Sequence, residues 1–158
     1  SPGRASGTRT ESKDLGKDAE GKEVLPFAQV DTVMAATAFD KDGKVVGTII
    51  DNAQTKITFD NTGKVTADKA AEYPTKVELK EGYGMIKASS IGKEWYQQAE
   101  ALGQRMVGKT VDEIKAMKTK NKDASHPAVP DVPELTSSVT VSVQEYIAAV
   151  AEGYANAK

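Results

Sequence analysis

The sequence predicts an α+β fold in which a meander of antiparallel strands and hairpins packs against C-terminal helices. Between Val30 and Lys80, short apolar stretches alternate with turn-forming residues, as is typical of strands. From Trp95 onward, apolar residues recur at intervals of three and four, the spacing of amphipathic helices. Strands followed by helices favour a sheet with helices on one face.

Composition and chain length predict one globular domain behind a short tether. The chain has 158 residues, of which 39% are hydrophobic and 28% charged, which suits a single soluble core. Residues 1–24 contain almost nothing to bury and are rich in Gly, Ser, Lys and Glu. We expect this segment to be a flexible tether, because burial cannot offset its ordering entropy. Residues 25–158 then form the domain.

The predicted strands are "VDTVMAATAF", "KVVGTII", "TKITF" and "TKVELK". An internal echo links them, since "FDKDGKV" recurs as "FDNTGKV". We interpret the echo as two hairpins in which Asp opens the turn, and Gly43 or Gly63 supplies the left-handed backbone. Asp40 and Asp42 also suggest a calcium loop, but the downstream bidentate glutamate of that motif is missing.

Two helices are predicted before the Pro-rich stretch. Trp95, Ala99, Leu102 and Met106 form a helical stripe that we expect to lie on the sheet, and Gly108 ends that helix. "TVDE" then opens a short helix. Thr110 and Glu113 form its capping box, and Val111, Ile114 and Met117 form its buried edge.

The stretch "ELTSSVTVSVQEY" allows two interpretations. Its valines alternate with Ser and Thr as in a half-buried strand, yet Ser142 and Glu145 have the spacing of a capping box. We favour a last helix from about Val143 to Asn156, with Ser142 as N-cap and Thr140 on an exposed turn. A helix N-terminus there favours a bound anion such as a phosphate.

The apolar face of this last helix consists of Ile147, Val150, Ala151 and Tyr154. Their spacing predicts that all four pack on the sheet.

Several functional classes are disfavoured. The formal charge of −2, from 21 basic and 23 acidic residues, makes nucleic acid an unfavourable partner. Cysteine is absent, and the single histidine, His126, lies in a Pro-rich loop where we expect solvent, so no metal site is predicted. No apolar run approaches the roughly 20 residues of a membrane span. We therefore expect either a cytosolic protein or one from which a leader has been removed.

The segment "ELTSSVT" resembles the D-x-x-[S/T]-G-A-T motif of FMN-binding domains, which occur in extracellular flavoproteins and in flavin-carrying subunits of Rnf and sodium-pumping NADH:quinone oxidoreductase complexes. In this alignment Thr140 takes the place of the threonine that is esterified to FMN phosphate. Glu134 replaces the aspartate, Ser137 is the Ser/Thr, and Ser138 and Val139 replace glycine and alanine. Val139 adds two methyl groups where the flavin transferase needs space.

The resemblance covers roughly residues 28–158, including "GKEWYQQAEAL" and "VGKTVDEIK". It implies an FMN-binding-domain-like fold and an extracytoplasmic protein, secreted or lipid-anchored at the surface of anaerobic Gram-positive bacteria. Any membrane association would then be through a removed N-terminal anchor. The implied partners are a flavin transferase and redox proteins.

The function implied is electron transfer through FMN, with the FMN esterified to Thr140 if the chemistry of the family is retained, rather than turnover of a substrate. Ser142 would add a hydroxyl at the helix start, and Tyr83 and Gly84 of "EGYG" would approach the flavin, although we favour a simple turn as the explanation of the two glycines. The alternative is a non-catalytic cell-surface binding module with the same fold and no covalent flavin. In that case Thr140 and Ser142 serve only the helix start.

Overall fold

The structure is a computed structural model that describes residues 1–157. The strands are β1 (Pro2–Lys13), β2 (Gly16–Lys17), β3 (Glu23–Val24), β4 (Phe27–Phe39), β5 (Val45–Thr58), β6 (Thr119–Lys120) and β7 (Val129–Pro130). The helices are α1 (Lys76–Leu79), α2 (Trp95–Met106), α3 (Val111–Lys115) and α4 (Gln144–Ala155), with 3-10 turns at Lys80–Tyr83 and Met85–Lys87. None of the helices within residues 1–157 has the length and apolar character needed to span a membrane.

The main sheet has three antiparallel strands in the order β1-β4-β5. The predicted first hairpin is confirmed, because β4 turns directly into β5 through Asp40 and Gly43. The Asp40 carboxylate accepts hydrogen bonds from the backbone N–H groups of Asp42 and Lys44 at 2.8 and 2.9 Å. Gly43 has a φ of 75°, the left-handed conformation that favours glycine.

The second copy of the echo forms the same turn but not a second full hairpin. Asp60 accepts from Thr62 and Lys64 as Asp40 does in the first copy, and Gly63 has a φ of 84°. Beyond the turn, only a single bridge joins Phe59 to Val65. The two stretches "KVVGTII" and "TKITF" are therefore one long strand, β5, rather than two.

The prediction of a strand at "TKVELK" is wrong, because Lys76–Leu79 is a short helix. Thr75 accepts a hydrogen bond from the backbone N–H of Glu78, and the Glu78 carboxylate accepts one from Thr75 N–H. This reciprocal capping box satisfies helix-terminal donors and overrides the alternating pattern. The helix lies along β5, where Val77 N–H donates to the Asp51 carboxylate at 3.2 Å.

The prediction that residues 1–24 are a flexible tether is also wrong. Pro2–Lys13 pairs with β4 along its whole length, from Pro2 opposite Ala38 to Lys13 opposite Phe27. The scarcity of apolar residues in this segment predicts that few of its side chains are buried. It does not predict whether the backbone pairs, and an edge strand is held largely by backbone hydrogen bonds to its neighbour. Serine, threonine and charged residues suit such a strand, because most of its side chains stay in water.

The two long helices cover one face of the sheet. Helix α4 packs on β1 and β4, and α2 packs on β5. The predicted stripe of α2 is confirmed, since Trp95, Ala99, Leu102 and Met106 are all buried. Trp95 meets Tyr146 of α4 edge to face, with ring centroids 5.7 Å apart. The architecture is therefore α+β, with antiparallel strands and C-terminal helices.

The later helices follow the sequence at the residues named here except Tyr154. The Thr110–Glu113 capping box of α3 is present, and Gly108, with a φ of 79°, follows α2. Ile147 and Val150 of α4 are buried as expected. Tyr154 is instead largely exposed, because it lies at the end of the sheet and contacts Phe39 edge to face at 4.9 Å.

Helix α4 approaches β1 so closely that only glycine fits at the contact. A Cβ atom on Gly3 would lie 1.8 Å from the carbonyl oxygen of Gly153, a distance that forces the backbones apart. Gly7, four residues along the same strand, has open space around its Cβ direction. The two glycines of β1 therefore differ in packing alone.

We predict that Gly3→Ala lowers the free energy of unfolding by about 2 kcal/mol, because overpacking must displace α4 or β1. For a domain of this size that corresponds to a drop in melting temperature of roughly 4–8 °C. Gly7→Ala is the matched control and is expected to change stability by less than about 0.5 kcal/mol. Thermal and urea unfolding of the parent and both variants would measure these changes. If Gly3→Ala were as stable as Gly7→Ala, the close contact between Gly3 and Gly153 would be contradicted.

Candidate functional site

The motif residues lie on a turn that precedes α4. Leu135 is buried, and Val139 N–H closes the turn on the Leu135 carbonyl at 2.8 Å. Ser137 is exposed and Ser138 is half-buried on this turn. Glu134 is exposed and lies 3.7 Å from the guanidinium of Arg105 on α2.

Val139 points into the protein rather than beside the candidate acceptor. It is 1% exposed and belongs to the hydrophobic core. The expectation that its methyl groups crowd the surface around Thr140 is therefore wrong. The next residue, Thr140, is half-buried.

Thr140 is held by a buried glutamine of α2. The Thr140 backbone N–H donates to Gln98 Oε1 at 2.9 Å, and the Thr140 hydroxyl donates to the same oxygen at 3.4 Å. Gln98 is 0% exposed, and its amide group donates to the Lys93 carbonyl and to the Ser89 hydroxyl. One side chain thus joins three segments. The short bond fixes the Thr140 backbone, whereas the long bond holds the hydroxyl weakly.

The predicted capping box at Ser142 is wrong. The N-cap of α4 is Val143, which makes no side-chain cap, and the helix begins at Gln144. The Ser142 hydroxyl accepts instead from Ala128 N–H at 3.2 Å, and Val143 N–H donates to the Ala128 carbonyl at 3.0 Å. These bonds tie the segment to the Pro-rich loop. Ser142 and Glu145 have the right spacing, but a tertiary partner takes the hydroxyl.

Tyr83 ends the first 3-10 turn, and Gly84 lies between the two turns. Gly84 has a φ of 77° and shapes the turn, as the simple interpretation of "EGYG" predicted. The Tyr83 hydroxyl donates to Gln54 of β5 at 3.3 Å. Burial raises the pKa of Tyr83, and the carboxylates of Asp31 and Glu94 raise it further. No hydrogen bond within residues 1–157 joins either residue to Thr140.

Glu94 organises these turns from the start of α2. Its buried carboxylate accepts from the backbone N–H groups of Met85 and Ile86, both at 2.9 Å. Gln97 completes a capping box with it. The carboxylate is thus a structural group, since its acceptor capacity is taken by backbone donors.

The cavities of the sheet are separate from the motif. A cavity of about 660 Å³ is lined by residues such as Gly3, Thr48 and Gly103, and one of about 410 Å³ by residues such as Met34 and Ile49. Neither is lined by a motif residue. Within residues 1–157 no group of three or more metal-ligating side chains comes together. His126 is a partly exposed loop residue whose ring lies 2.7 Å from the Asp123 carboxylate.

A buried polar cluster beneath the helices was not predicted from the sequence. Asp31 is fully buried on β4 and accepts from Arg9 of β1 at 3.1 Å. Asn52 on β5 donates to the Tyr146 hydroxyl at 3.4 Å, while its own carbonyl oxygen has no partner within residues 1–157. The sequence does indicate this cluster, because Asp31 and Asn52 fall at positions of their strands where the neighbouring residues on the same face are apolar and buried.

Lys76 is the buried cation of this cluster, whereas Arg9 is more than half exposed. It is 7% exposed, and its ammonium lies 4.8 Å from the ring centroid of Tyr83 and 5.2 Å from that of Trp95. Burial lowers the pKa of Lys76 to about 8, against an ordinary value of 10.5. The carboxylates of Asp31, Asp51 and Glu145 oppose this shift, and the guanidinium of Arg9 adds to it.

No protein-family model matches this chain, and neither the curated proteins nor the solved structures include a match. What the protein does is therefore inferred from its own residues and contacts.

We predict that the free energy of unfolding contributed at Lys76 rises with pH between about 8 and 10.5. In this window Lys76 is protonated in the unfolded chain and has released its proton in the folded chain. The unfolded state therefore binds more protons, and raising the pH destabilises it relative to the folded state. The full change is on the order of 3 kcal/mol.

The measurement is the difference in unfolding free energy between the parent and Lys76→Met, followed in urea from pH 7 to pH 10.5. The unfolding free energy of the parent should increase relative to that of the variant as pH rises from about 8 to about 10.5. Lys115→Met, at an exposed position of α3, controls for the loss of one positive charge. A difference that stays constant with pH would contradict the prediction.

Proposed function

We propose that this domain is an electron-transfer protein that carries FMN as a phosphoester on Thr140. The observation that supports the proposal most directly is the local geometry of the motif. Val139 packs inward, and the Thr140 hydroxyl lies on a partly exposed segment that is not helical. The methyl groups of Val139, the preceding residue, therefore do not cover the Thr140 hydroxyl on the outside of the protein.

Gln98 supports attachment at this position. Its bond to the Thr140 backbone is short, whereas its bond to the hydroxyl is at the weak end of hydrogen-bond distances. Esterification removes only the weaker of the two. The acceptor segment then keeps its position while the hydroxyl oxygen changes partner.

The residues fit a flavin that is tethered at the surface rather than one enclosed in a pocket. The cavities of about 660 and 410 Å³ are lined by sheet and α2 residues, not by the motif. When attached, FMN supplies the electron transfer, and the chain supplies its point of attachment. An exposed flavin suits exchange of electrons with separate redox proteins. The proposal therefore includes redox partner proteins, a flavin transferase and an extracytoplasmic location.

The second candidate is a non-catalytic cell-surface binding module without covalent flavin. It is favoured by the structural roles of the same hydroxyls, because Thr140 bonds to Gln98 and Ser142 bonds to Ala128. Both groups are accounted for by the fold alone. The two candidates differ in whether a transferase modifies Thr140.

We predict that incubation with FAD, magnesium and a flavin transferase adds one FMN to the chain, with AMP as the leaving group. Thr140→Val should abolish the adduct, because it removes the acceptor oxygen while keeping the shape of the side chain. Thr136→Val, on the exposed part of the same turn, is the matched control and should be modified like the parent. Intact mass and peptide mapping measure the outcome. If a transferase active on another acceptor leaves the parent unmodified, the binding module replaces the flavin carrier.

We also predict that Ser138→Gly and Val139→Ala act differently. Ser138 is half-buried on the turn, so Ser138→Gly should speed flavin transfer by clearing space near the acceptor. Val139 is in the core, so Val139→Ala should lower the free energy of unfolding by about 1.5 kcal/mol or more and clear no space outside. Transfer rates and urea unfolding separate the two effects, and a faster rate in Val139→Ala alone would count against the inward position.

A further inference from the structure

The face of the sheet opposite α2 and α4 is short of charge. We call it the open face, and it consists of the even-numbered residues of β1 and β4 and the odd-numbered residues of β5 from Gly47 to Ile57. Only two of these eighteen positions, Arg4 and Asp51, carry a charged side chain, whereas 28% of the whole chain is charged. Depletion of charge at the centre of a surface is typical of a protein interface.

Apolar side chains stand exposed on and beside this face. Ile49 is 70% exposed, Val30 is 40% exposed, and Val46, at the irregularity where β4 passes into β5, is 60% exposed. Ala36 lies between Met34 and Ile49 in a depression of about 410 Å³. An apolar surface with a concave centre on a soluble protein marks a place where something packs.

We propose that a second copy of this chain packs on the open face, related by a two-fold axis close to the strand direction. Sheets that pack face to face keep their strands roughly aligned. The axis then places β4 over β4 of the partner copy, and β1 over β5. The contact is isologous, so it closes after two copies. This proposal does not depend on whether FMN is attached.

The two charges select this arrangement. Arg4 pairs across the sheet with Ala36, which pairs with Ile49, so Arg4 and Ile49 share one row. Asp51 lies in the adjacent same-face row, opposite Met34. With the axis along the strands, Arg4 of each copy reaches the neighbourhood of Asp51 in the other, and two opposite-charge contacts form at once. An axis across the strands leaves these charges two strands apart.

The size of the face indicates a reversible dimer. Three strands about 4.8 Å apart, paired over twelve residues of about 3.4 Å each, give a footprint of roughly 590 Å² per copy. Two copies bury on the order of 1,200 Å², at the lower end for specific interfaces. We expect dissociation in the micromolar range rather than a permanent dimer.

Sedimentation of the full chain across a concentration series, from about 1 µM to about 1 mM, tests the proposal against the affinity expected for an interface of this size. The parent should pass from monomer to dimer. Ile49→Lys should weaken dimerisation at least tenfold. Arg4→Glu should weaken it and reverse its dependence on salt, because salt screens the attraction to Asp51 in the parent and the repulsion in the variant. Ile86→Lys is the matched control, because Ile86 is an exposed isoleucine on the 3-10 turns, away from the open face. It should dimerise like the parent.

A cross-link identifies the face directly. The chain contains no cysteine, so Ala36→Cys introduces a single thiol at the proposed axis. A short bismaleimide should join two copies through it, whereas Ser137→Cys on the motif turn should not cross-link. A parent that stays monomeric throughout the series overturns the proposal. So does a dimer that Ile49→Lys leaves unchanged, or an assembly that continues beyond two copies.

Discussion

The docking of α4 across β1 and β4 is the interaction on which the rest of the fold depends. At its end the helix touches β1 backbone to backbone, through Gly3 and Gly153. Further along, Tyr146 meets Trp95 and so joins α4 to α2. The same helix sets the position of Val139–Val143, which lead into it. A long edge strand, both helices and the motif are therefore held by one packed element.

Local signals in the sequence predicted those parts of the fold that local bonds stabilise. The Asp40–Gly43 turn and the Thr110 capping box each close within a few residues, and both are present. The strand prediction at "TKVELK" failed because the capping box of Thr75 and Glu78 was overlooked. The strand β1 was missed for a different reason. Its stability comes from pairing with β4 and from the α4 contact, neither of which depends on apolar side chains.

The sequence proposes a location for the candidate site but does not predict the geometry of the residues there. Motif resemblance selected Thr140 and its neighbours, whereas the inward direction of Val139 depends on how the turn packs. The partner of Thr140 is Gln98, which lies 42 residues earlier in the chain. Ser142 likewise bonds to Ala128 across the Pro-rich loop. Spacing rules describe contacts within one helix turn, so tertiary partners such as these lie beyond them.

The contact between Gly3 and Gly153 also has a consequence for how the chain folds. Strands β4 and β5 form a hairpin from neighbouring sequence, so we expect them to pair early, because closing a short loop costs little entropy. The contact of β1 with α4 joins residues 150 positions apart, so it can form only after the last helix has been made. Because α4 packs on the face of the sheet, the outer edge of β1 has no partner strand within residues 1–157 either before or after this step. Its serine, threonine and charged side chains suit such an edge, because they disfavour pairing with other chains.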